Sequence, residues 1–215
     1  MNRRYIKIGL IIVLGVLLGI VSSIGDKLPF GSPLFIIGGF LNTASFWSLS
    51  AFMIGANFKS RNNAIIAAIS FLSLSVISYY IFGYFFGEGQ HVPVITLAGT
   101  AFSWIIISIF IGSLCGLAGM TAKFTKNLKK RMIAIIIPMV IIISESIISI
   151  LQLTPFVNQD SNNYVPLVIL IILVVAACLI PFAIFKNKRV ALYTMFLGLI
   201  VSVVGAILLI GISKM

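Results

Sequence analysis

A chain of 215 residues that is 60% hydrophobic and only 9% charged falls outside the ordinary soluble class, in which roughly a quarter of residues carry charge. The net charge of +11 would suit a nucleic-acid binder, but the basic residues stand in short clusters between long apolar runs and form no face along one helix. Both features point to an all-α, polytopic transmembrane bundle whose basic clusters set its topology and meet anionic lipid headgroups, with no nucleic-acid partner.

A spanning helix needs about 20 apolar residues at 1.5 Å each to cross roughly 30 Å of hydrocarbon. Seven runs meet this: 5–24, 34–58, 64–86, 94–121, 132–153, 165–185 and 190–212. The first follows Arg3 and Arg4 and is longer than the core of a signal peptide, so it is expected to stay uncleaved. Its Gly15, Gly19 and Ser23 recur every four residues and predict a close packing face. The second run contains Asn42-Thr43, a fair helix cap, so it reads either as one helix or as pieces 35–41 and 43–58. The third carries Ser75, Tyr79 and Tyr80. The fourth has a small-residue face at Ser108, Gly112, Gly116 and Gly119. Pro138 in the fifth and Pro181 in the sixth each remove a backbone hydrogen bond and predict bends. The seventh presents Gly198, Ser202 and Gly205.

The loops alternate in charge. With the amino terminus placed in the cytoplasm, 13 of the 15 Lys and Arg residues are cytoplasmic, leaving Lys27 and Lys214 opposite. Asp26, Glu88 and Asp160 share that opposite side. The bias predicts the amino terminus inside and the carboxyl terminus outside, in a multi-pass protein of a cell membrane, with a bacterial plasma membrane as the expected setting. Connecting loops of roughly ten residues or fewer leave the expectation of a single transmembrane domain over 1–215 with no soluble domain.

Glu145 is the one acid inside an apolar run, and a carboxyl at that depth is expensive and commonly functional. It stands 14 residues past Arg131, about 21 Å up at 1.5 Å per residue. Ser75 reaches a similar height, Asn42 about 25 Å, and Tyr79, Tyr80, Ser103 and Trp104 about 27–30 Å. Ser149 and Gln152 continue the Glu145 stripe at four and seven residues. Together these predict an outward-facing polar pocket with Glu145, Asn42, Trp47, Ser75, Tyr79, Tyr80, Ser149 and Gln152 as its binding residues, and Ser45, Thr100, Ser103 and Trp104 as further lining. The plainer reading of any one Ser, Thr, Tyr or Trp is a back-bonded hydroxyl or an interfacial aromatic. With no basic residue in a predicted helix able to pair with it, Glu145 is left to bind a cation, carry a proton, or donate a hydrogen bond as a neutral acid.

The remaining chemistry is sparse. Cys115 and Cys178 read as small buried side chains, and the single His91 as a loop residue. No cofactor, metal or nucleophile motif occurs, so an enzyme is not expected.

The segment Leu41-Asn-Thr-Ala-Ser-Phe-Trp47, continued by Ala51-Phe-Met-Ile-Gly-Ala56 and Ser78-Tyr-Tyr80, resembles an uncharacterised family of small polytopic bacterial membrane proteins, defined as a domain of unknown function. Gly112 to Gly119 and the Glu145 helix fall where that family has a glycine-rich segment and a helix glutamate. The resemblance implies no activity; it marks Asn42, Trp47, Tyr79, Tyr80 and Glu145 as the positions to test. The size is also similar to that of the substrate-binding components of energy-coupling-factor vitamin importers. Those typically have six helices and an early Ala-x-x-x-Ala, where this chain has seven runs and Gly15-x-x-x-Gly19. Two functions are consistent with the sequence. One is a transporter or membrane substrate-binding subunit for a small solute or ion. The other is a non-transporting accessory, assembly or lipid-organising protein. Either is consistent with a small-molecule or cation ligand and with a homo-oligomer or a membrane partner subunit.

Overall fold

The computed structural model describes residues 3–28, 39–86, 92–157 and 164–213, with side-chain surroundings for 7–28, 39–86, 92–151 and 170–207. Glu88, His91, Asp160 and Lys214 lie outside the described residues, as do positions 34–38 of the second predicted run. Among the described residues there is no strand. The helices are α1 (Arg3–Gly25), α2 (Ala44–Gly55), α3 (Arg61–Phe86), α4 (Val94–Phe124), α5 (Leu128–Val157), α6 (Tyr164–Ile184) and α7 (Lys188–Ser213). Five of them, α1, α3, α4, α5 and α7, are long and apolar enough to cross a membrane.

The second run does not form one helix. A helical turn at residues 39–41 ends at Asn42, and α2 begins afresh at Ala44. Its 12 residues span about 18 Å, well short of a hydrocarbon core. The cause is Thr43, which takes an extended conformation at φ −80° and ψ 144°. Its hydroxyl donates back to the Phe40 carbonyl at 2.8 Å and accepts from the Phe46 N–H at 3.1 Å. One side chain thus closes the preceding turn and opens the next helix.

Packing is not sequential. α1 lies mainly on α3, α3 on α4, and α7 on α5, while α2 is seated among α3, α4 and α5. The predicted small-residue faces supply these close approaches. A Cβ on Gly19 would collide with the Ser75 carbonyl oxygen, and one on Gly119 with that of Phe52. Gly55 of α2 meets the Gly116 backbone of α4 in the same way, and Gly198 of α7 faces the buried Met139 of α5. Backbone-to-backbone contact of this kind is how helices associate where lipid removes the hydrophobic drive.

Lys7 and Arg131 tie the helix ends together. The Arg131 guanidinium donates to the Ala122 carbonyl at 3.0 Å and the Ile184 carbonyl at 3.3 Å, so one side chain satisfies the carboxyl ends of α4 and α6. It also lies over the Phe185 ring at 5.1 Å. Lys7 donates to the Asn57 carbonyl at 3.2 Å, tying the start of α1 to the α2–α3 turn.

Candidate functional site

The start of α2 leaves four backbone N–H groups to be satisfied from outside the helix ladder. Thr43 N–H bonds the Phe40 carbonyl at 3.2 Å, and Phe46 N–H takes the Thr43 hydroxyl. The two between them turn to Glu145. Ala44 N–H donates to Oε1 at 3.0 Å and Ser45 N–H to Oε2 at 2.6 Å; the Ser45 hydroxyl also donates to Oε2. Every donor at this end therefore has a partner, and two of the four are held by a side chain from another helix. Both carboxyl oxygens act as acceptors for α2 amides. No Lys or Arg is required, because the amino end of a helix carries roughly half a positive charge.

Beside this cap, α2, α3 and α4 enclose a cavity of about 180 Å³. Asn42, Ala44 and Trp47 line it from the start of α2. Leu72, Val76, Tyr79 and Tyr80 line it from α3, and Trp104, Ile107, Ser108 and Ile111 from α4. Tyr79 and Tyr80 present their rings at 78° to one another with centroids 5.1 Å apart. The Trp47 indole N–H is fixed by the Leu41 carbonyl at 2.7 Å.

At the cavity's edge, Asp26 gathers two lining residues. The Asn42 amide donates to its Oδ2 at 2.8 Å, and the Tyr79 hydroxyl donates to the same oxygen. From sequence alone, Asp26 is a loop acid and falls outside the expected site. The available signal is its height: it directly follows α1, at the outer level expected for Asn42 and Tyr79. Sequence also gives no reason to include Leu72, Val76, Ile107, Ser108 and Ile111, because helical spacing alone does not tell which face of α3 or α4 meets α2.

Of the other expected residues, Glu145, Ser45, Ser75, Thr100, Ser103 and Ser149 are not in its wall. Glu145 backs the wall through Ala44. Ser45 is buried on the Glu145 carboxylate. Ser75 is buried, bonded to the Phe71 carbonyl at 2.9 Å, and faces Gly19 of α1. Thr100 and Ser103 are exposed and bond the Thr96 and Gly99 carbonyls of their own helix. Ser149 is partly buried one turn beyond Glu145; Gln152 belongs to α5, and its side chain lies outside the described surroundings. Cys115 is buried, Cys178 partly so, and both are free thiols. Among the described residues, no three His, Cys, Asp or Glu side chains converge as a metal site would need.

The match to a family model runs over residues 1–214. The chain belongs to DUF6518, a family of unknown function. The resemblance to an uncharacterised family, carried by residues 41–56 and 78–80, therefore extends over nearly the whole chain. No curated protein and no solved structure matches it.

Proposed function

We propose that this protein is a membrane-embedded binding protein for a small solute, either a transporter or the solute-binding subunit of one, and that it has no chemistry of its own. The observation that carries the reading is the break at Asn42-Thr43. Discontinuous helices frame solute sites in transporters because irregular backbone inside a membrane is tolerated only where it lines a cavity or is buried in protein. Here the break opens directly onto the cavity through Asn42 and Ala44. A carboxylate from α5 holds it in place.

The proposed orientation puts the Lys7 and Arg131 end in the cytoplasm of the cell, against anionic headgroups, and the Asp26 end outside. The cavity then opens outward, and a solute enters past Asp26.

The chain has two tryptophans, and both line the cavity. Intrinsic fluorescence therefore reads the site with little background. Purified protein titrated with a panel of cationic, anionic and neutral small solutes should show a saturable emission change and a rise in melting temperature for at least one class. Substitution of Tyr79→Leu should weaken that response. A flat response to every class would overturn the solute-binding reading and favour the accessory or lipid-organising role.

A further inference from the structure

We infer that the cavity selects a small organic cation, an alkylammonium group. This rests on the solute-binding reading and narrows it to a chemical class. Four aromatic residues, Trp47, Tyr79, Tyr80 and Trp104, contribute to the wall, and among the described residues no Lys, Arg or His does. Aromatic faces attract cations through their quadrupole, most strongly where water is excluded. Two of the four, Tyr79 and Tyr80, are neighbours with their rings in an edge-to-face contact.

The charges around the box have the matching sign. The chain carries 15 basic and four acidic residues, so a randomly placed cavity would more often neighbour a base. Yet both acids among the described residues are one hydrogen bond from its wall: Asp26 through Asn42 and Tyr79, and Glu145 through Ala44. The positive end of α2 would by itself favour an anion at this wall. That end is already occupied, because the two Glu145 oxygens take the Ala44 and Ser45 amides. Asp26 places a second acid at the edge, on Asn42 and Tyr79. The nearby base, Lys27, places its ammonium over the Phe82 ring at 5.2 Å and is not part of the wall.

Size narrows the class further. At about 180 Å³ the cavity is smaller than the roughly 300–1,000 Å³ of pockets for drug-sized ligands, and it suits a methylated ammonium head. Leu72, Val76, Ile107 and Ile111 give the methyl groups apolar contacts. The same chemistry is found in a free solute and in the headgroup of a zwitterionic lipid.

The test compares choline with its neutral isostere 3,3-dimethylbutanol, which has the same shape without the charge. Protein in phosphatidylglycerol nanodiscs is titrated with each and followed by tryptophan fluorescence. Choline should bind saturably and at least tenfold more tightly than the isostere. The preference should shrink in Tyr80→Leu and in Asp26→Asn, while melting temperatures show both variants to be folded. Equal binding of the two compounds would overturn the cation inference and leave the solute-binding reading standing. Binding of neither would also overturn it, and the broader solute panel then decides the parent reading separately. Repeating the titration in phosphatidylcholine nanodiscs separates the sources. An unchanged choline response assigns the site to a free solute, and a response already saturated by the bilayer assigns it to a lipid headgroup.

Discussion

Glu145 is an acid held by backbone. Its two oxygens take two α2 amides and the Ser45 hydroxyl, so its removal leaves donors at a partly buried helix end without partners. Each unsatisfied amide costs about 1–3 kcal/mol, and Glu145→Ala should lower stability by about 2–4 kcal/mol. Glu145→Gln keeps one carbonyl acceptor and should fall between the two. Thermal unfolding in detergent checks the order; an alanine variant as stable as the parent would show that the cap contributes nothing. The acid itself is legible in the sequence, because one Glu in an apolar run stands out. Its partner is not, since backbone amides exist at every position and only the break at Thr43 frees the pair it binds. Asp26 escapes a reading of the sequence for the opposite reason: an acid in a polar loop is unremarkable until Asn42 and Tyr79 are seen to converge on it.

At the level of elements, α2 is short and its neighbours come very close. Gly119 of α4 abuts the Phe52 carbonyl, which is backbone and cannot swing aside. Gly119→Ala should force α2 and α4 apart at a cost of about 1–3 kcal/mol. Gly99 lies in the same helix, and a methyl group added there would meet nothing within 4 Å, so Gly99→Ala should be neutral or raise stability by up to about 1 kcal/mol. Melting temperatures of the pair separate steric clash from helix propensity. The apolar runs and the small-residue stripes can be read from spacing alone. Which helix each stripe meets cannot, because a four-residue stripe of glycine fits any smooth partner. Spacing therefore predicts a packing face on α1 without naming α3 as its partner. A broken second run is one of the two readings that Asn42-Thr43 allows, and the cap is Thr43, whose hydroxyl reaches Phe46.

Across the whole molecule, the bundle joins two groups of helices. One holds α1, α3 and α4, the other α5, α6 and α7, and α2 touches both through α3, α4 and α5. The charge pattern along the chain becomes a polarity along the bundle, with Lys7 and Arg131 near one end and Asp26 near the other. The proposed orientation makes a direct prediction. In a chain with Cys115 and Cys178 replaced by alanine, Lys27→Cys should react with a membrane-impermeant maleimide in intact cells. Ser60→Cys should react only after permeabilisation, and the reverse pattern would invert the assignment.

The Glu145 cap also has a consequence for biogenesis. Ala44 and its acceptor are 101 residues apart in the chain. At about 5–20 residues per second, α2 leaves the ribosome roughly 5–20 s before the carboxylate that completes it. During that interval its first amides have no partner of their own, and lipid supplies none. Secure seating of α2 therefore waits for α5, so the cavity is finished late in synthesis, after most of its own wall has already been made.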